Sequence, residues 1–230
     1  MHSAVVAASL LTSAVGVPND SADAPVAIGL IGDSTVADTY GWGPAFAERF
    51  DDRTTVLNFA RNGARLDTLS KRLDELLEKS PDYVLIQFGH NDQKKYGVET
   101  YKKNLTDYVR RAKAAGARPI VLSSVTRRNF GPDGKILPRT EGVHGGLPAF
   151  AAAAGEVARR ETVPFIDVYR ISVEHHNRLG PEASAAYDFA DDDQTHFSPA
   201  GAAATADLIV DELKVARPEL APRLRRPSVD

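Results

Sequence analysis

The sequence predicts an α/β fold in which a doubly wound parallel sheet lies between two layers of helices. Short apolar runs recur five times along the 230-residue chain, and segments with helical periodicity separate them. Such regular alternation of strands and helices indicates a parallel sheet with right-handed crossovers. The runs are almost continuously apolar, which is typical of strands that are covered on both faces.

Each predicted element follows from its local pattern. The predicted strands are residues 26–31, 54–59, 82–88, 119–125 and 163–167. The predicted helices are residues 43–50, 66–79, 98–115, 147–161, 169–178 and 199–215. In the second helix, leucines at helical spacing predict a stripe that faces the core. We expect one domain over residues 25–216, a long loop over 129–146 and a solvated C-terminal tail over 217–230.

The first 24 residues differ in composition from the rest of the chain. Residues 4–17 are small and apolar apart from serine and threonine, which is typical of the central region of a signal peptide. Ala14-Val15-Gly16 fits a cleavage site, although no lysine or arginine precedes the apolar run. We therefore predict a secreted or periplasmic protein. The alternative is a cytoplasmic protein with a disordered N-terminus.

Composition narrows the classes of function. The chain has no cysteine, which excludes disulfides, thiolate catalysis and cysteine metal sites. The formal net charge of −3 gives no electrostatic footprint for DNA or RNA, so we expect no nucleic-acid partner. No segment after the N-terminal stretch approaches the length of a membrane span. We expect a monomer that does not bind membranes.

Polar segments follow the first three predicted strands, and a fourth precedes the last helix. Gly32-Asp33-Ser34-Thr35 follows the first strand, and Asn62-Gly63 follows the second. Gly89-His90-Asn91-Asp92 follows the third, and Asp193-x-x-His196 comes before the last helix. Ligands of open α/β sheets bind at the carboxyl edge, where the strands end. We therefore expect these four segments to meet there.

The residue types in these segments are typical of nucleophilic catalysis. A serine hydroxyl is a weak nucleophile until a base takes its proton, and His196 is the candidate base for Ser34. Asp193 can accept a hydrogen bond from one ring nitrogen of His196 and so orient the other nitrogen toward Ser34. An oxyanion would need donors, and the amides of Ser34 and Gly63 and the side chain of Asn91 are candidates.

The four segments, in this order, resemble the four blocks of the SGNH (GDSL-type) hydrolase superfamily. Gly-Asp-Ser-Thr, Gly-His-Asn-Asp and Asp-x-x-His-x-Ser-Pro-Ala-Gly resemble its rhamnogalacturonan acetylesterase branch more than its lipase branch. The resemblance implies a flavodoxin-like, five-stranded sheet and catalytic roles for Ser34, Asp193 and His196. It also implies an oxyanion hole of Ser34, Gly63 and Asn91. Deacetylation would then pass through an acyl-enzyme without a metal or another cofactor.

We therefore predict a serine esterase that removes O-acetyl groups from a carbohydrate such as rhamnogalacturonan, pectin or xylan. A lipase, lysophospholipase or acyl-thioesterase of the same superfamily is the alternative, and it would need a long apolar pocket. A carbohydrate-binding protein without activity is a further alternative, but the complete set of catalytic residues argues against it. Asp191, Asp192 and Asp193 could instead form a solvated acidic loop or a cation site with His196, but a cation site would leave Ser34 without a role.

Further residues near the four segments are candidates for contacts with the substrate: Asp33, Trp42, Arg65, His90 and His144. Trp42, like Tyr40, could offer a ring to a sugar or pack on the sheet. His90 could contact substrate or be structural, and His144 could contact sugar or be solvated. Where the acetylesterase branch often has Gly-Gly-Arg-Ser, this chain has Asn-Gly-Ala-Arg, which displaces Arg65 by one position.

Arginines also follow the strand ends. Arg127 and Arg128 come directly after the fourth predicted strand, and Arg61 and Arg65 follow the second. If these side chains face the cleft, they would attract an acidic polysaccharide. If they face outward, they carry no information about the substrate.

Overall fold

A computed structural model, which describes residues 24–140 and 144–225, confirms the three-layer α/β/α fold. The strands are β1 (Val26–Gly32), β2 (Thr54–Asn58), β3 (Tyr83–Gln87), β4 (Arg118–Leu122) and β5 (Phe165–Ile166). They form one five-stranded sheet in the order β2-β1-β3-β4-β5, and every pair is parallel. Because the chain winds outward in both directions from β1 and β3, the carboxyl ends of these two strands flank the point where such sheets bind ligands.

Helices cover both faces of this sheet. They are α1 (Gly43–Ala47), α2 (Ser70–Leu77), α3 (Val98–Ala114), α4 (Gly146–Arg160), α5 (Val168–Ala185) and α6 (Pro199–Ala216). Helices α2, α3 and α4 pack on one face, and α1, α5 and α6 pack on the other. Gly180, with a φ of 78°, interrupts α5 immediately before Pro181.

The alternation of side chains along the strands fills two cores. On β3, Val84 and Ile86 face the core under α2, α3 and α4, while Leu85 faces the core under α1, α5 and α6. In the predicted leucine stripe, Leu73 and Leu76 are fully buried. Each such side chain contributes roughly 1.5–3 kcal/mol by leaving water. The two cores hold the sheet rigidly, so its carboxyl edge is a firm base for a site.

Helix α2 is shorter than the periodicity predicts. It begins at Ser70, whereas Leu66 lies in a turn and is still buried. The reason is a hydrogen bond across the site: the Leu66 amide donates to Asp92 Oδ1 at 3.0 Å. This contact holds residues 64–69 in an irregular path. The leucine spacing therefore predicts buried positions over a longer stretch than the helix occupies.

The segment after α6 packs on the domain rather than extending into solvent. Residues Pro218–Arg223 form a 3-10 helix that buries Leu220 and Arg223, and Leu224 pairs with Phe50. Leu220 and Leu224 cover an apolar edge of the domain. The prediction of a solvated tail rested on the arginines of this segment and did not consider these leucines. The candidate signal peptide up to residue 23 and the last five residues lie outside the described ranges. None of the described helices combines the length and the apolar character needed to span a bilayer.

Candidate active site

Ser34, His196 and Asp193 form a continuous hydrogen-bonded chain at the carboxyl edge of the sheet. Ser34 lies in the turn directly after β1, and its Oγ is 2.9 Å from Nε2 of His196. The other ring nitrogen, Nδ1, is 2.8 Å from Asp193 Oδ2. With the proton on Nδ1, His196 donates to the carboxylate and offers Nε2 as the acceptor for the serine proton. This is the geometry that a Ser-His-Asp triad requires.

The turn over residues 190–196, here named the triad turn, fixes Asp193 from several directions. Asp193 Oδ1 accepts hydrogen bonds from the amides of Thr195 and His196, each at 3.1 Å. Partial burial pushes the pKa of Asp193 up, but these amides and the His196 ring together hold it below its usual value. The carboxylate therefore stays ionised, as an orienting group for His196 must.

Arg128 braces the triad turn from inside the protein. Its guanidinium donates to the carbonyl of Asp193 at 3.1 Å and to the carbonyl of His196, and it pairs with Asp188. The Arg128 side chain is only 1% exposed. Burial lowers the pKa of Arg128, and the charge of Asp188 opposes this effect. Arg128 thus supports the catalytic geometry and does not face the cleft.

The loops that carry two of the candidate oxyanion donors, Gly63 and Asn91, are in contact. The side-chain nitrogen of Asn91 donates to the carbonyl of Ala64 at 3.1 Å, which brings Asn91 against the loop that carries Gly63. Gly63 has a φ of 73°, which L side chains rarely adopt, and a Cβ at this position would meet open space. Glycine is therefore required here by backbone conformation rather than by crowding.

The donors on these residues are available. Within the described ranges, no acceptor engages the amide of Ser34 or of Gly63. Asn91 uses one N–H on Ala64, which leaves its second N–H free. The three donors lie on the loops that follow β1, β2 and β3 at the carboxyl edge of the sheet. We expect them to serve an oxyanion that forms beside the Ser34 hydroxyl.

A buried network supports the nucleophile turn from below. Asp33 Oδ1 accepts from the amide and the hydroxyl of Thr35, at 2.9 and 2.8 Å. The Thr35 hydroxyl accepts from Gln87 at the end of β3, and Gln87 accepts from the indole N–H of Trp42 at 3.1 Å. Both Asp33 and Trp42 are fully buried. They position the turn around Ser34, and neither is placed to touch a substrate.

His90 is likewise buried beneath the site. Its Nε2 lies 3.0 Å from the carbonyl of Val125. Burial and the neighbouring charges of Arg127 and Lys94 hold the pKa of His90 well below its ordinary value. The ring is therefore neutral and donates from Nε2 to Val125. Because His90 is only 1% exposed, it is a structural residue and is not placed to contact substrate.

The remaining candidates for substrate contacts lie nearer the surface. Arg65 is half-buried and turns toward Asp67, with which it pairs at 2.9 Å. His144 is exposed and precedes α4, beside residues outside the described ranges. The ring beside the triad is that of Tyr40, whose centroid lies 5.1 Å from that of His196 and 4.7 Å from that of Phe189. Of the two aromatic candidates from the sequence, Tyr40 lies beside the triad and Trp42 is buried in the core.

Two supporting residues escaped the sequence interpretation. Gln87 ends an otherwise apolar strand, and a lone amide in such a position is the signal that could have identified it. No feature of the sequence indicates that Arg128 braces the triad turn, because the neighbouring Arg127 is the same residue type. Asp191 and Asp192 are both exposed, and in the described part of the chain no group of three or more His, Cys, Asp or Glu residues could hold a metal ion.

Comparisons with known proteins identify relatives of this chain. The rhamnogalacturonan acetylesterase RhgT of Bacillus subtilis (strain 168) is 33% identical, over 83% of this chain and 90% of the relative. The probable rhamnogalacturonan acetylesterase YesY of the same strain is 29% identical, over 80% of this chain and 91% of the relative. Both relatives match over nearly their whole length.

Solved structures share the fold. The crystal structure of YxiM from Bacillus subtilis is 27% identical, with a TM-score of 0.72, and covers 86% of this chain. This chain spans 58% of that longer one. The acetylxylan esterase Axe2 of Geobacillus stearothermophilus is 18% identical, with a TM-score of 0.65, over 83% of this chain and 94% of its own. The sequence pattern of the GDSL-like lipase/acylhydrolase family matches residues 30–204, and this chain belongs to that family.

Proposed function

We propose that this protein is a serine esterase that releases acetate from an acetylated carbohydrate. The observation that carries the proposal is the hydrogen-bonded chain from Asp193 through His196 to Ser34, with contacts of 2.8 and 2.9 Å. The similarity to RhgT, which is named a rhamnogalacturonan acetylesterase, supports the choice of acetyl and carbohydrate groups. Site and relative point to the same reaction independently.

In the first half of the reaction, Ser34 Oγ attacks the acetyl carbonyl while His196 Nε2 takes the serine proton. The carbonyl oxygen becomes an oxyanion, which the amides of Ser34 and Gly63 and the side chain of Asn91 stabilise. Asp193 stabilises the imidazolium that forms. The intermediate then collapses: the bond to the sugar oxygen breaks, and His196 returns its proton to that oxygen.

The second half removes the acetyl group from Ser34. A water molecule attacks the acetyl-serine ester, and His196 Nε2 takes a proton from it. The same donors stabilise the second oxyanion. Collapse breaks the bond to Ser34 Oγ, which regains the proton from His196, and acetate leaves. Protons and charges therefore balance over the cycle, and His196 acts once as base and once as acid in each half.

The relatives favour a short acyl group. RhgT is named a rhamnogalacturonan acetylesterase and YesY a probable one. Their names support an acetylesterase over the lipase and acyl-thioesterase alternatives.

The test compares substrates on the wild-type protein and on Ser34→Ala. Acetate release is measured from acetylated pectin, acetylated xylan and p-nitrophenyl esters of two, four and eight carbons. We expect acetate from at least one polysaccharide, a rate that falls with acyl length, and no activity above background for S34A. A rate that rises toward eight carbons, with no acetate from either polysaccharide, would establish the lipase alternative instead. Binding of acetylated oligosaccharide without any acetate release would establish the non-catalytic one.

A further inference from the structure

A cationic cavity lies beside the triad and plays no part in the mechanism above. It measures about 130 Å³, and its polar lining includes Lys94, Arg127 and Arg139. Arg127 is half-buried, and the other two cations lie exposed at its mouth. Leu147, from the first turn of α4, and Tyr169 contribute to the walls. The cavity therefore combines an apolar interior with a positively charged entrance.

One hydrogen bond and one chain connection link this cavity with the catalytic residues. Arg127 donates a hydrogen bond to the hydroxyl of Thr195, which precedes His196 in the triad turn. Lys94 ends the 3-10 helix that begins directly after Asn91. The cavity thus adjoins both the turn that carries the base and the turn that carries an oxyanion donor.

The cations of the cavity repel each other. Burial, with a contribution from Arg139, lowers the pKa of Arg127. Burial and the charges of Arg127 and Arg139 lower the pKa of Lys94. Among the described residues, no aspartate or glutamate lines the cavity. Within the described ranges, no ion pair engages Lys94 or Arg139. Asp33 opposes both shifts and Asp193 opposes that of Arg127, but neither residue lines the cavity. Like charges held together cost free energy, and a bound anion lowers that cost.

We propose that this cavity binds the carboxylate of a uronic acid residue in the acetylated carbohydrate. The proposal rests on the function proposed above and specifies its substrate class. Arginine presents a planar pair of donors that matches a carboxylate, and an exposed lysine adds a mobile charge. The volume admits the acid group and part of its ring, but not a length of polysaccharide. The subsite would therefore orient one acidic residue while its neighbouring acetyl ester lies at Ser34.

The first experiment varies only the acid group of the substrate. Acetate release is measured from an O-acetylated oligogalacturonide and from the same oligosaccharide after methyl esterification of its carboxyl groups. We expect kcat/KM to be about 10-fold higher for the free acid, mostly through KM, because charge-assisted hydrogen bonds to a carboxylate are lost on esterification. The preference should shrink in high salt. Equal kcat/KM values for the two substrates would overturn the subsite.

The second experiment removes the cations one at a time. In Arg139→Gln and Lys94→Gln, the ratio of kcat/KM for free acid over methyl ester should fall several-fold toward one. Lys103→Gln, an exposed lysine on α3, removes the same charge elsewhere and should keep the wild-type ratio. Arg127 is left intact in these variants because it also bonds Thr195. A ratio unchanged in both cavity variants, or lowered as much in K103Q, would contradict the proposal.

A binding measurement separates the failure of the subsite from the failure of the proposed function. D-galacturonate and D-galactose are compared as inhibitors of p-nitrophenyl acetate hydrolysis by the wild-type protein. We expect inhibition by galacturonate alone, and a loss of that inhibition in R139Q. Galacturonate inhibition without acetate release from any carbohydrate would retain the subsite and reject the carbohydrate acetylesterase. Acetate release from a carbohydrate with equal inhibition by both sugars would retain the carbohydrate acetylesterase and reject the subsite.

Discussion

The two turns that flank Ser34 differ in how completely their polar groups are paired. In the triad turn, both carboxylate oxygens of Asp193 accept hydrogen bonds, and Arg128 donates to two of its carbonyls. In the turn over residues 89–94, here named the Asn91 turn, buried side-chain atoms lack hydrogen-bonding partners in the described part of the chain. They are His90 Nδ1, Asp92 Oδ2 and Gln93 Oε1.

This difference indicates that the triad turn fixes the catalytic geometry and that the Asn91 turn modulates the rate. Hydrogen bonds on both carboxylate oxygens of Asp193 hold this side chain in a single arrangement, which a triad requires. The Asn91 turn carries the proposed oxyanion donor Asn91 and, at its other end, Lys94, which lines the cationic cavity. Its unpaired polar atoms leave its charges sensitive to their neighbours. Changes in the triad turn should therefore abolish activity or stability, and changes in the Asn91 turn should alter rate or pH dependence.

The largest effect is expected from Asp193→Asn. An asparagine can offer its N–H to His196 Nδ1, which would fix the wrong tautomer and leave no free acceptor for the Ser34 proton. We expect kcat for p-nitrophenyl acetate to fall roughly 10³- to 10⁴-fold, as in other triads. Asp192→Asn removes the same charge from an exposed neighbour and should stay within twofold of wild type. A D193N enzyme of near-normal kcat would show that the triad turn does not orient His196.

Arg128→Met tests the bracing of the same turn. The change removes a buried cation and leaves Asp188, whose side chain is 17% exposed, without its partner. Breaking a buried ion pair in this way costs about 3–5 kcal/mol of unfolding free energy. The measurement is urea unfolding at pH 7. The matched control is Arg170→Met, because the side chains of Arg170 and its partner Glu174 are both exposed, at 52% and 51%. Equal urea midpoints for the two variants would show that Arg128 does not stabilise the turn.

Asn91→Ala moves the test to the less completely paired turn. Losing one oxyanion donor should lower kcat roughly 10²- to 10³-fold and leave KM almost unchanged, because the donor acts mainly in the transition state. Asn91→Asp keeps the shape and replaces the donor with an acceptor, so it should lose at least as much. If N91D retains wild-type kcat, the amide of Asn91 does not serve the oxyanion.

The sequence predicts the triad turn better than the Asn91 turn and the cavity, for a physical reason. Ser34, Asp193 and His196 are found from local spacing and from the rule that parallel strands end at one edge. The cavity depends on where three cations from separate loops point, and nothing local distinguishes Arg127 from Arg128. One of these adjacent arginines lines the cavity, and the other is buried against Asp188. Trp42 shows the same limit, because burial under a loop cannot be read from an aromatic residue alone.

The Asn91 turn also predicts a pH dependence of stability. Burial raises the pKa of Asp92 from 3.8 to about 6, against the opposing hydrogen bonds from Tyr96 and Leu66. The folded protein therefore binds this proton more tightly than the unfolded chain does. Below the pKa of Asp92 in the unfolded chain, the carboxyl is protonated in both states and no unfolding free energy is lost. Above its pKa in the folded protein, the full loss of unfolding free energy is reached. A shift of this size corresponds to roughly 3 kcal/mol of unfolding free energy, lost as the pH rises through that window.

Asp92→Asn removes this titration and keeps an oxygen that can accept from Leu66 and Tyr96. We expect the unfolding free energy of D92N, relative to wild type, to increase by roughly 2–3 kcal/mol between pH 4 and pH 7. Urea unfolding at half-unit pH intervals measures this difference. Tyr96→Phe removes the hydroxyl that favours the ionised form, so it should move the loss of stability to higher pH. A pH-independent difference between D92N and wild type would mean that the folded protein keeps Asp92 ionised without penalty. The incomplete pairing of the Asn91 turn would then have no energetic consequence.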